Sequence, residues 1–197
     1  MNSGSRRAAI LVVTLLACVT TAQAQTSHRP NTREGFWAGF GLGASSAEMD
    51  CSSCSNFRFI GPSGYVRLGY TLSRRILLGV ESAGWVHSSS DIDDSIWLAS
   101  VVALWYPLPA GALYVKLGYG RVAYHSDDGG NVFTAKARSA SIGLGYEVRV
   151  RPNISLVPFV NGLATASVQQ YRDGVPIGNG NDFSINLVQF GVGATWH

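Results

Sequence analysis

Between residues 35 and 196, large apolar side chains recur at every second position, and no apolar run after residue 24 is long enough to cross a bilayer as a helix. Such a crossing needs about 20 consecutive apolar residues. Period two is the repeat of a strand whose two faces meet different surroundings, whereas a helix repeats near 3.6. No helical stripe persists along this chain. Of its 197 residues 46% are hydrophobic, 14% are charged and 23 are glycine, against roughly a quarter charged in an average soluble protein. Alternating strands therefore carry the positive mean hydropathy of +0.13.

Ahead of the strands, Arg6 and Arg7 precede the apolar residues 8–17, and Ala22-Gln23-Ala24 has the small-x-small form of a signal peptidase site. Residues 1–24 read as a secretory signal peptide that is removed, and residues 25–34 as a short periplasmic segment. Lipidation at Cys18 is the alternative, because Leu15-Leu16-Ala17-Cys18 resembles a lipobox. Without Arg6 and Arg7 the chain is close to neutral, so the pI of 8.9 owes much to the leader. The basic footprint of a nucleic-acid binder is missing. Export places Cys51 and Cys54 where disulfides persist, and Cys51-Ser52-Ser53-Cys54 reads as a loop staple. A redox centre would want a helix N-terminus behind its thiolate, and zinc would want two more ligands.

Eight strands are expected, at residues 35–45, 65–72, 76–86, 96–106, 113–120, 139–150, 154–165 and 189–196, with the alternation slipping between Leu187 and Gln189. The connections alternate: 72–75, 107–111 and 151–153 are tight, while 46–62, 87–95, 125–131 and 168–182 are longer and polar. Turns at one end, loops at the other and an even strand number describe an outer-membrane barrel. Closure is what hydrocarbon demands, since a free strand edge would leave N–H and C=O groups without partners. The expected fold of residues 35–197 is all-β: a closed antiparallel eight-stranded up-and-down transmembrane barrel with short periplasmic turns and longer extracellular loops. One face of each strand carries large apolar residues and the other carries glycine, serine and a few charges. Eight strands enclose only enough room for side chains, so Arg67, Glu81, Lys116, Glu147, Arg149 and Gln189 are expected to fill the interior as a paired polar network. Phe36, Tyr70, Trp105, Tyr106, Tyr146 and Trp196 fall near the turn side, and Trp97 and Tyr119 nearer the loops, as aromatic girdles do. A soluble lipocalin-like barrel, with the faces inverted, is the alternative.

Four segments carry a family resemblance: Gly35-Phe36-Trp37-Ala38-Gly39-Phe40-Gly41-Leu42-Gly43, Leu113-Tyr114-Val115-Lys116-Leu117-Gly118-Tyr119-Gly120, Ser141-Ile142-Gly143-Leu144-Gly145-Tyr146 and Phe190-Gly191-Val192-Gly193-Ala194-Thr195-Trp196. In this order they resemble the OmpA- and OmpX-type family of small eight-stranded outer-membrane barrels of Gram-negative bacteria. The resemblance implies residence in the cell outer membrane, contact with its lipid and lipopolysaccharide, and no cofactor. It also implies an assembly signal at Phe190 and Trp196 for the barrel-assembly machinery, although His197 follows the aromatic. Inward pairs of Glu81 with Lys116 or Arg67, and of Glu147 with Arg149 or Arg67, are implied as well.

Function is less legible, because it sits in sites grafted on a fold. Nine of the twelve carboxylates lie in the four long connections, where they keep loops solvated. Asp91-Ile92-Asp93-Asp94 and Asp127-Asp128-Gly129-Gly130 offer oxygen ligands of the kind calcium prefers, without a complete binding loop, so no metal site is assigned. Arg58, Arg121, Arg138 and Arg172 either pair with lipopolysaccharide phosphates or balance the acids. The expected role is structural or surface-binding, with a loop ligand outside the cell and no steady pore. A gated channel and a lipid A-modifying enzyme are the alternatives. His125-Ser126 and His87-Ser88-Ser89-Ser90 are the local candidates for catalysis, neither matches the His-x-Ser-Asn pattern of lipid A deacylases, and no catalytic residue is assigned.

Overall fold

The computed structural model describes residues 33–51, 57–89, 92–127, 129–130, 132–180 and 183–197. Its strands are β1 (Phe36–Cys51), β2 (Phe57–Ser73), β3 (Ile76–Ser89), β4 (Ile92–Trp105), β5 (Leu113–Asp127), β6 (Val132–Tyr146), β7 (Val148–Arg151), β8 (Ile154–Arg172), β9 (Val175–Gly180) and β10 (Phe183–Trp196). Every pairing is antiparallel, and each barrel strand bonds to the next along the chain. β7 continues β6 past Glu147 along the same edge of β8, and β9 is a flap paired only to β8. Eight barrel strands remain, and β10 closes the ring by pairing with both β8 and β1.

The strands are longer than the alternation of bulky residues indicated. The first runs on to Cys51 rather than ending at Ser45, because Ala47 and Met49 keep facing inward while Ser46, Glu48 and Asp50 alternate with them. The long loop-side connections are thus largely paired strand that stands above the apolar belt. The seventh barrel strand shows the same extension, through a bulge. Lys136 pairs with Gln169 and Arg138 with Ala166, so Ala137 faces two residues of β8. One extra residue interrupts period two, which is why the alternation is lost near Thr165. The Arg172-Asp173-Gly174-Val175 hairpin follows, with φ of 50° at Asp173 and 79° at Gly174, the left-handed pair that an Asp-Gly turn supplies. No slip occurs between Leu187 and Gln189: the pairing with β1 runs unbroken from Phe183 to Trp196.

Faces divide as bilayer physics requires. Phe36, Leu42, Val101, Leu117 and Ile142 point outward and are largely exposed, as is Phe190. A water-facing surface this apolar would drive association, so the soluble lipocalin-like alternative has no support. Inward positions alternate aromatic rings with glycines that seat them. A Cβ at Gly41 would fall 2.4 Å from the Tyr65 ring and 2.9 Å from the Phe159 ring, which meet edge to face at 4.9 Å. Gly69 and Gly79 leave the same kind of space for Trp37, and Gly145 for Tyr114. Outward-facing Gly162, by contrast, has no atom closer than 3.9 Å to such a Cβ. Gly41→Val should therefore lower the urea midpoint of the folded-to-unfolded gel shift, at a cost of about 1–3 kcal/mol. Gly162→Val should leave that midpoint where it is.

Candidate functional site

The barrel interior is built in four layers. At mid-height Arg67 of β2 and Glu81 of β3 lie directly opposite each other, and the Arg67 Nε–H donates to Glu81 Oε2. The Lys116 ammonium of β5 donates to the same carboxylate, at 2.8 and 3.1 Å. All three side chains are at most 3% exposed. The Arg67 guanidinium also stacks 3.7 Å from the Tyr65 ring centroid and donates to the Tyr114 hydroxyl at 3.2 Å. Beside this clasp the Asn161 amide donates to Gln189 (3.0 Å), Gln189 to Ser63 (3.1 Å) and Ser45 to Ser63 (2.6 Å). Two cations around one anion make the group net positive. Those charges are retained inside only because each has its partner in place.

Apolar layers close the clasp from both ends. On the loop side Met49, Trp85, Ile96, Leu98, Val122 and Ile185 pack together, with the Tyr124 hydroxyl donating to Asp94 at 2.6 Å. On the turn side Trp37, Leu77, Leu104, Tyr114 and Val157 form a second cluster. Below that cluster, Arg33 is 1% exposed. Its guanidinium binds Glu147 at 2.9 Å and the Gly111 carbonyl at 2.7 Å, and lies 3.5 Å over the Tyr106 ring. Glu147 accepts from the Tyr106 hydroxyl at 2.7 Å and lies 3.0 Å from His197 Nε2. A cavity of about 30 Å3 beside Glu81, Lys116, Ser141 and Gln189 would hold a water or two, and is far too small for a passing solute.

With this architecture in place the sequence comparison decides the family: the profile of the outer membrane protein beta-barrel domain matches residues 9–196. The chain belongs to that family. Members of the outer membrane protein beta-barrel domain family are outer-membrane proteins of Gram-negative bacteria. The fold is similar to that of the crystal structure of Neisserial surface protein A, with a TM-score of 0.59 at 15% identity, over 83% of this chain and 97% of that one. It is also similar to OprG from Pseudomonas aeruginosa (TM-score 0.51, 10% identity, 84% and 97% covered) and to Ail of Yersinia pestis (TM-score 0.50, 14% identity, 83% and 99% covered). No curated protein matches the sequence.

Arg67, Glu81 and Lys116 meet in one clasp, and Gln189 joins the amide chain beside it. Glu147 lies lower and binds Arg33 rather than Arg149 or Arg67. Arg149 is half-buried on β7. Phe36, Tyr70, Trp97, Trp105, Tyr119 and Trp196 are exposed on the outer wall, and Tyr146 is half-exposed. Tyr106 corrects the expected girdle: period two puts it on the side opposite Trp105, and its ring is fully buried over Arg33. Asp94 points inward to Tyr124, and among the described residues no three acidic, histidine or cysteine side chains converge as a metal site. Cys54, Asp91 and Asp128 lie outside the described residues, and with Cys54 the expected staple to Cys51. Sequence reasoning missed Arg33 and His197, each single residues beyond the alternating pattern.

The clasp yields a test. Glu81→Gln keeps the shape but leaves two buried cations without their anion, and should cost about 3–5 kcal/mol in unfolding from lipid vesicles. Lys116→Met leaves the neutral Arg67–Glu81 pair and should cost much less.

Proposed function

We propose that this protein is a sealed outer-membrane barrel that acts through its wall and rim, as a structural and surface-binding component of the envelope, rather than as a pore or an enzyme. The observation that carries this reading is the Arg67–Glu81–Lys116 clasp held between two apolar layers. Opening a path would mean breaking paired charges inside a low-dielectric wall, where each ion released from its partner costs several kcal/mol. Catalysis is not favoured either. His125 Nδ1 lies 3.3 Å from the Thr134 hydroxyl, and His87 Nδ1 lies 3.2 Å from the Ile60 carbonyl. Among the described residues neither histidine has a carboxylate bonded to it to orient it as the base of an activated nucleophile.

The partners proposed are outer-membrane lipid and lipopolysaccharide around the wall, an extracellular ligand at the loops, and the barrel-assembly machinery during biogenesis. Phe190 and Trp196 support the last of these, because both face outward on β10, the strand that closes the ring. The removed leader at residues 1–24, the periplasmic segment at 25–34 and the Cys51–Cys54 staple belong to the same proposal. Reconstitution into planar lipid bilayers tests the sealed interior. We expect heat-modifiable, folded protein to give no lasting current steps. Long-lived ohmic steps from that material would overturn the reading.

A further inference from the structure

The outer wall carries a charge arrangement that sheet pairing alone would disfavour. Arg121 of β5 and Arg138 of β6 are directly opposite each other, flanked in the same row by Ala99 of β4 and Ala166 of β8. Both arginines are exposed on the outer face. Like charges so placed repel, and the ion pairs among the described residues include neither of them. The other rim arginine with a partner shows the contrast, since Arg58 binds Glu48 at 2.9 Å. One row toward the loops Lys136 is exposed as well, between Ala123 and Gln169, with its ammonium 5.4 Å from the Tyr171 ring. Three cations therefore cluster on the outer face, with Ala99, Ala123 and Ala166 among their cross-strand neighbours.

Depth gives the patch its meaning. Tyr119 lies two residues below Arg121, about 7 Å along the strand, and Trp97 lies in the row of Lys136. Exposed Trp and Tyr mark the headgroup level of a bilayer, and both rings are 61% exposed. Toward the turns the same wall is wholly apolar, through Val101, Leu117, Ile142 and Leu144. A cationic row above an unbroken apolar wall matches an amphiphile with an anionic head and hydrocarbon chains. Two guanidinium forks suit a phosphate monoester, which offers several oxygens for paired hydrogen bonds.

We propose that the outer face of β4, β5, β6 and β8 holds a phosphorylated membrane lipid, with its phosphate between Arg121, Arg138 and Lys136 and its chains along Tyr119, Leu117 and Ile142. In the loop-side leaflet of the outer membrane this lipid is the lipid A anchor of lipopolysaccharide. The inference rests on the proposed orientation, loops outward, and makes the wall itself a binding site.

The test is native mass spectrometry of lipid retained by the full folded protein after extraction from nanodiscs. The nanodiscs contain phosphatidylcholine with either phosphorylated or dephosphorylated lipid A. Wild type should keep the phosphorylated form by about tenfold over the other, the scale of losing a charged hydrogen-bond contact. Arg121→Gln/Arg138→Gln should lose that preference, while Arg58→Gln should keep it. Each variant is first checked for the heat-modifiable gel shift. If the double variant does not fold, the two single variants carry the comparison. Equal retention of both lipids by wild type, or an unchanged preference in the arginine variants, overturns the proposal. Displacement of lipid A by an equal concentration of inorganic phosphate would also overturn it, by reducing the site to a simple anion patch. Failure of the sealed-barrel reading would instead appear as channel current, whatever lipid is retained.

Discussion

Backbone hydrogen bonding in hydrocarbon is the constraint on which everything else here depends. Each strand has two edges of N–H and C=O groups, and a bilayer offers neither edge a partner, so the sheet has to close on itself. The pairing of β1 with β10 meets that demand over the whole of β10, from Phe183 to Trp196. Closure then fixes what may stand on each face. The outward face has to be apolar because lipid surrounds it. The inward face of an eight-stranded ring has so little room that every ring must be matched by a gap. Glycine is the gap, and this is why Tyr65, Trp37 and Tyr114 each have glycines against them.

This logic also explains the uneven legibility of the sequence. Period two was visible wherever the outward residue was bulky and the inward one small, which located all eight barrel strands and their faces. It faded above the apolar belt, where the outward residues turn polar and Ala47 and Met49 are the remaining marks of an inner face. The bulge in β8 hid the end of that strand, so the Asp173-Gly174 turn that follows reads in the sequence as part of one long polar connection at 168–182. The clasp was legible as residue types because a charge on an otherwise small-residue face stands out. The partners of Glu81 are the two that the family resemblance implies, Arg67 and Lys116, whereas Glu147 pairs with Arg33, which precedes the first strand. Arg33 and His197 sit where no repeat exists to give them context, yet together they enclose Glu147.

Charge inside and charge outside obey different rules in this molecule. Inside, Glu81 and Glu147 are each surrounded by donors, and each carboxylate is the anion on which its cations depend. Ions so enclosed give uniqueness of packing more readily than net stability, which suits a barrel whose strands could otherwise slide in register. Outside, the wall is stratified: apolar belt, then the row of Arg121 and Arg138, then acids toward the loops.

Among the described residues two like-charged pairs face each other in that outer stratification, and their depths separate them. Asp93 and Asp127 also face each other across β4 and β5, but at the loop end, where water and salt reduce the repulsion of exposed charges to a small term. Arg121 and Arg138 lie six residues lower on β5, at the level of the outer aromatics, where screening by water is weaker and repulsion is larger. A sheet that accepts this arrangement with neither arginine in an ion pair among the described residues is locally inconsistent, and such inconsistencies mark function more often than error. An anionic lipid headgroup removes the inconsistency. The packed interior and the cationic wall are then two consequences of one geometry: an inner face filled by its own side chains leaves the outer wall and the loop rim as the surfaces a ligand can reach.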